Sequence, residues 1–293
     1  MHIATRIQLA LEAAVAPGEI AGSPPHLAAA LRHAVFPGGA RIRPQLCLAV
    51  AQACEEDDPV LSDAAAVSVE LLHCASLVHD DLPCFDDAPL RRGLPSVHCA
   101  FGERLAVLAG DALIVLAFQA LAAGARATPQ RLAPLLSTIS QGVGMPFGIV
   151  AGQAWECEAQ VVLSDYQRAK TGALFAAATM AGAQAAGRDA RMWRPFGEWL
   201  GEAYQIADDI RDVMADAKQI GKPVGRDSVL GRPSAAREHG LREAIRRFDA
   251  LIDSASGAIP ACRGAPALRA LVRHEAERLV PRAWLAQSAR IAA

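Results

Sequence analysis

The chain has 293 residues, 52% of them hydrophobic, and a formal net charge of −2. So even a balance gives no basis for expecting nucleic acid as a partner, and any anion the protein binds must be held by a local cluster. Tyr and Trp are scarce and Asn is absent, whereas Ala, Leu, Glu and Arg abound, a usage that favours helix over strand. Seven cysteines (Cys47, Cys54, Cys74, Cys84, Cys99, Cys157 and Cys262) form no CxxC pair and no zinc-like spacing. That pattern predicts reduced, mostly core thiols in a cytoplasmic protein.

In chain order, "MHIATRIQLALEAAVA" looks at first like a signal peptide, but Gln8 and Glu12 interrupt it, and an amphipathic first helix is expected. Ser23 before Pro24 marks a second helix start. "FPGGARIRP" (36–44) then leads into a helix over 42–54, and Asp63 signals the start of "AAAVSVELLHCASLVH". The most apolar stretch, 105–125, carries Asp111 and Gln119 in its middle and falls short of the ~20 clean apolar residues of a membrane span. It reads as a buried central helix. Further helices are expected over 130–142, 164–186, 196–215 and 240–255, with no strand alternation and no linker dividing the chain. The expectation is a single all-α domain over 1–293, in which some helices are apolar all round and therefore covered.

Chemistry concentrates in "LVHDDLPCFDDAPLRRG" (77–93), where Asp80, Asp81, Asp86 and Asp87 fall within eight positions. On a helix, His73, Ser76, Leu77 and Asp80 share one face. Pro83 ends the helix one turn later and lets Asp86 fold back toward Asp80. Carboxylates so close do not all ionise cheaply without a cation. Oxygen-only ligation points to Mg²⁺, which keeps waters and shares its shell with substrate phosphates. Downstream, "EAYQIADDIRDV" (202–213) repeats the pattern, with Asp208 and Asp212 one turn apart and Gln205 one turn earlier on that side. An isolated acidic pair is usually a solvated helix face. Two such clusters, each ending an apolar helix, instead describe a cage for divalent ions with a diphosphate between them.

Basic residues stand beside these motifs. Arg41 and Arg43 lie at a Gly-rich helix start, where backbone N–H groups and the helix dipole favour anions. "LRRG" supplies Arg91 and Arg92. Only three lysines occur, Lys170 in "RAKTGALF", Lys218, and Lys222 in "IGKPVGRD".

Taken together, "GGARIRP", "DDLPCFD", "RRG", "AKTGALF", "DDIRD" and "GKPVG" resemble, in order and spacing, the motifs of the trans-isoprenyl diphosphate synthases, over nearly the whole chain. The wording, including "HCASLVHDDLP" and "AGQAWE", is most similar to bacterial members that make geranylgeranyl diphosphate for carotenoid and bacteriochlorophyll pathways. The resemblance implies mostly antiparallel helices around a deep central cavity, in a homodimer. It implies that Asp80, Asp86 and Asp208 ligate Mg²⁺, as three ions once substrate is bound, with Asp81, Asp209 and Asp212 supporting directly or through water. It assigns Arg91, Lys170 and Lys222 to the allylic diphosphate, Arg43, His73 and Arg92 to isopentenyl diphosphate, and Thr171 and Gln205 to the reacting carbons.

Three positions depart from the family pattern. Ala40 stands where most members have Lys, Leu94 replaces a common basic residue, and Arg232 replaces a common Lys. Arg41 or a more distant guanidinium could compensate for Ala40. Ala75 and Ser76 lie about one turn (roughly 5.4 Å) below Asp80. Their small side chains would let a fourth isoprene unit descend, with Leu71, Leu72 or Phe118 as floor, although Ala75 could equally serve close helix packing. A farnesyl diphosphate synthase, a non-catalytic partner of another prenyl synthase and a plain helical scaffold remain open. A class I terpene cyclase is disfavoured because its second metal motif uses Asn.

Overall fold

Asp58 opens the helix around which the others gather. Its carboxylate accepts the Leu61 N–H at 3.1 Å, Pro59 fills the first helical position, and the helix runs Pro59–Asp80 (α4). Before it come α1 (Ile3–Val15), α2 (Pro25–Val35) and α3 (Ile42–Ala53). After it come a two-residue hairpin (Leu90–Arg91 with Leu94–Pro95), α5 (Val97–Phe101), α6 (Glu103–Gly124), α7 (Leu132–Val143), α8 (Ile149–Ala154) and α9 (Leu163–Gln167). A π turn, Arg168–Gly172, leads into α10 (Ala173–Ala185), followed by α11 (Arg194–Met214), α12 (Leu241–Gly257) and α13 (Ala265–Leu279). This computed structural model describes residues 2–214 and 240–281.

The apolar residues of α4 point all round, and the helix is accordingly enclosed by α1, α2, α3, α6, α7, α8 and α10. Small residues set the closest approaches. A Cβ at Gly124 would stand 2.3 Å from Ala64 Cβ, and one at Gly182 would stand 2.2 Å from the Cys47 carbonyl, so α6 on α4 and α10 on α3 tolerate no side chain there. A second cluster around Phe175, Trp193 and Phe196 joins α3, α10 and α11 to α13, and a third joins α11 to α12.

Several expectations change. The cap of α4 is Asp58, one turn before Asp63, because Pro59 is better placed to start the helix; Asp63 instead accepts from Arg6 Nε at 2.8 Å. That buried guanidinium, also 2.6 Å from Glu56, locks α1, whose Ile7, Leu11 and Val15 face inward. The segment 164–186 is not one helix but is interrupted by the π turn. α6 is not central: Val107, Leu108 and Val115 are 43–54% exposed. By length and composition α4 and α6 could each cross a bilayer, but two thirds of the apolar window of α4 is buried in the protein. Only Cys47, Cys54 and Cys74 are core thiols; Cys84, Cys99 and Cys157 are exposed.

Candidate active site

The last two turns of α4 form one wall of a cavity of about 400 Å³, with His73, Ser76, Leu77 and Asp80 on it, as the helical spacing requires. The helix stops at Asp80, and the chain turns so that the Asp86 N–H donates to the Asp80 carbonyl at 2.9 Å. Asp86 thereby returns to the cavity mouth. Asp80 is 7% exposed, and burial pushes its carboxyl up; Lys170 opposes this, while Asp86 and Glu156 add to it. Gln153 Nε2 donates to Asp80 Oδ1 at 3.1 Å, and Lys170 Nζ lies 3.4 Å from Oδ2 and 2.7 Å from Glu156 Oε1.

The facing wall is α11, which presents Tyr204, Gln205, Asp208, Asp209 and Arg211. Thr171 Oγ1 donates to Gln205 Oε1 at 2.9 Å, and Gln205 Nε2 donates to Asp209 Oδ1 at 3.2 Å. Lys170 and Thr171 are carried by the π turn, which rests on Gly152. A Cβ there would stand 2.4 Å from the Lys170 backbone. Asp208, one turn beyond Tyr204, and then burial push the Tyr204 phenol up to about 12.

The third side is basic. Gly38 and Gly39 take positive φ (89° and 122°), Arg41 follows at 48°, and α3 begins at Ile42. A Cβ on Gly39 would stand 2.8 Å from the Arg92 guanidinium, so glycine there leaves Arg92 its place on the wall. Arg43 is 9% exposed, lies 4.6 Å from the Phe175 ring and donates from Nη1 to His73 Nε2 at 3.3 Å. Its Nε is buried without a partner. Burial pushes Arg43 down and, joined by Arg43, Arg92, Arg91 and Arg41, holds His73 well below the usual imidazole range. His73 is therefore neutral, with Nε2 as acceptor. Such an end, rich in guanidinium and holding an orphaned donor, is built for an anion.

Of the residues singled out in the sequence, Asp80, Asp86, Asp208, Asp209, Arg43, His73, Arg91, Arg92, Lys170, Thr171, Gln205 and Ser76 line this one cavity. Asp81 does not. It is 2% exposed and bound to Arg91, because successive helical residues point about 100° apart. Ala75 packs in the core, as do Leu71 and Leu72, and Phe118 packs against it, so none of these four is on the cavity wall. Arg41 is committed to Glu70 at 2.5 Å and to the Val35 carbonyl. The side chain of Asp212, Lys222 and Arg232 lie outside the described residues. Residues missed in the sequence are Glu70, Gln153, Glu156, Tyr204 and Arg211; "AGQAWE" and "DDIRD" contained three of them unassigned.

The donor chemistry fits Mg²⁺. Asp80 at the end of α4, Asp86 in the turn after it and Asp208 on α11 offer only carboxylate oxygens to one cavity, which is what a hard cation sharing phosphate ligands needs. Among the described residues no three such groups close into a compact metal-ligating cluster.

A sequence profile of the polyprenyl synthetase family matches residues 24–262. A geranylgeranyl diphosphate synthase of Cereibacter sphaeroides is 53% identical over 281 residues, 96% of this chain and 98% of that one. One of Rhodobacter capsulatus is 48% identical over 280 residues, 96% and 97% of the two chains. Among solved structures, a geranyltransferase from Helicobacter pylori complexed with magnesium and isoprenyl diphosphate superposes with a TM-score of 0.78 at 28% identity, over 92% of this chain and 96% of that one.

Proposed function

The chain belongs to the polyprenyl synthetase family, and on that premise we propose that it condenses isopentenyl diphosphate with an allylic diphosphate to give geranylgeranyl diphosphate, releasing diphosphate. The observation that carries this reading is the meeting, in one cavity, of the carboxylates of Asp80, Asp86 and Asp208 with the guanidinium groups of Arg43, Arg91 and Arg92.

Bound Mg²⁺, three ions with substrate present, would neutralise the allylic diphosphate and make it a good leaving group. Asp80, Asp86 and Asp208 would hold the metal, with Asp209 and Asp212 in support. Lys170 and Arg91, on the same side of the cavity, would bind the remaining diphosphate oxygens, and Lys222 would join them. Arg43, His73 and Arg92 would bind isopentenyl diphosphate, the orphaned Arg43 Nε gaining its acceptor. The allylic C–O bond breaks with its electron pair leaving on diphosphate, the double bond of isopentenyl diphosphate attacks the cation, and diphosphate takes the proton lost. Thr171 and Gln205, bonded to each other, offer oxygen dipoles to the transient positive charge, and Leu77, Ile42 and Ile149 keep water from it.

The reading extends to a single prenyltransferase domain over 1–293, supported by the length of the match to the relatives. The exposed apolar stripe of α6 supports a homodimer, in which a second copy covers Val107, Leu108 and Val115. Exposed free thiols support a reducing, cytoplasmic setting. Purified protein incubated with Mg²⁺, isopentenyl diphosphate and each allylic primer is expected to yield the C20 diphosphate. A C15 end product would make it a farnesyl diphosphate synthase, and no incorporation would leave a non-catalytic partner.

A further inference from the structure

We propose that Arg211, on α11, supplies the positive charge that position 40 lacks, and that it binds the diphosphate of isopentenyl diphosphate together with Arg43 and Arg92. This rests on the functional reading above. Ala40 lies in the cavity wall beside the glycine loop and brings no charge. Its neighbour Arg41 does not replace the missing cation: its guanidinium is held by the buried Glu70 carboxylate and the Val35 carbonyl. Arg92 is itself partly engaged, 3.8 Å from Glu70. A terminal diphosphate carries roughly three negative charges, nearly two of them on the outer phosphate, so Arg43 and a shared Arg92 leave it under-neutralised.

Among the described residues, Arg211 is a cation placed to complete the set. Tyr204, Asp208 and Arg211 follow at i, i+4 and i+7, and all three line the cavity. Arg211 is half-buried on the cavity wall, and no hydrogen bond or ion pair ties it to another described residue. Arg43, Arg92 and Arg211 line this one cavity together with Tyr204, the first two from the α3 and hairpin side and Arg211 from α11. The Arg43 Nε, buried and without an acceptor, marks this cavity as short of an anion. Arg211 therefore approaches from the α11 side the ligand that a lysine at position 40 would approach from the α3 side.

The test is isothermal titration of isopentenyl diphosphate alone, with steady-state kinetics in which each substrate is varied separately. For Arg211→Leu, binding of isopentenyl diphosphate and its KM are expected to weaken by roughly tenfold or more, the loss of a charge-assisted hydrogen bond, with the allylic KM unchanged. Arg211→Lys retains most of the affinity. Adding Ala40→Lys to Arg211→Leu restores it, because the ammonium returns from the other side, whereas Ala40→Lys alone gains little. Thermal melts show that the variants fold. An unchanged isopentenyl diphosphate KM in Arg211→Leu, a rise in the allylic KM instead, or a folded double variant without rescue overturns the inference. A wild-type protein that neither binds nor consumes isopentenyl diphosphate overturns the functional reading itself, and the inference with it.

Discussion

Asp81 holds Arg91 from beneath the cavity, with Arg91 Nε 3.0 Å from one carboxylate oxygen and 3.1 Å from the other, while the adjacent Asp80 lies on the cavity wall. Two consecutive acids thus have different surroundings, one on the cavity wall and one fixing a guanidinium that lines the same cavity. Asp80→Asn is expected to lower turnover by roughly a hundredfold or more and to raise the Mg²⁺ concentration needed for half-maximal rate. Asp81→Asn leaves that Mg²⁺ dependence in place and raises the allylic KM. It also lowers stability, by about 3 kcal/mol, because Arg91 keeps its charge in a mostly buried position without its partner. Magnesium titrations of the initial rate and denaturant melts of both variants separate the two outcomes.

His73 ties stability to pH. Burial and then the guanidinium groups of Arg43, Arg92, Arg91 and Arg41 hold it well below the usual imidazole range, so the folded protein keeps it neutral where the unfolded chain protonates. The unfolded state binds the extra proton, and stability from this residue is fully present above pH ~6.5 and is lost below it, by up to roughly 1.4 kcal/mol per pH unit. His73→Gln removes that contribution. Urea midpoints at pH 7.5 and 5.5 are expected to differ less for the variant than for the parent. An equal acid loss in both would assign the slope to other groups.

Much of this arrangement was legible because it depends on period and punctuation. Pro83 bounds α4 at its end, though its start lies at Asp58–Pro59 and not at Asp63, and the i, i+3, i+4, i+7 spacing puts His73, Ser76, Leu77 and Asp80 on one wall. What was not legible is which of two neighbours faces inward. Arg41 and Arg43 are chemically equivalent in sequence and a distant partner decides between them, whereas the helical period already separates Asp80 from Asp81 and Ser76 from Ala75. Glu70 is an ordinary helix acid until the fold brings Arg41, 29 residues away, to within 2.5 Å of it. The α6 surface misleads for a related reason: apolar composition signals burial without saying whether this chain or another does the burying.

Product length should follow the same distinction. Ser76 lines the cavity one turn below Asp80, whereas Ala75 is 2% exposed within the core. Ser76→Phe is expected to fill the space beneath the metal position and shift the product from C20 to C15, with the fold intact. Ala75→Phe instead overpacks α4 against its neighbours and costs about 1–3 kcal/mol. Chromatography of the products, read beside the melting temperatures, checks both. A C15 shift from Ala75→Phe with C20 retained by Ser76→Phe would reverse the assignment.

Gly152 links a packing constraint to catalysis. It is the point where α8 meets the π turn, and a Cβ there would stand 2.4 Å from both the nitrogen and the Cα of Lys170. These are backbone atoms, so the turn itself must move rather than a side chain rotate away. Lys170 would then leave its 3.4 Å approach to Asp80, and Thr171 its 2.9 Å bond to Gln205. Displacement of a positioned group by about 1 Å can cost roughly a hundredfold in rate, and Gly152→Ala is expected to lose activity on that scale with a smaller loss of stability. Gly257, at the end of α12, has no atom within 4 Å of the place a Cβ would occupy. Gly257→Ala therefore leaves turnover unchanged and raises stability by up to about 1 kcal/mol through the unfolded chain. A Gly152→Ala protein with parental kcat would show that the π turn does not have to hold Lys170 and Thr171 in register for the reaction.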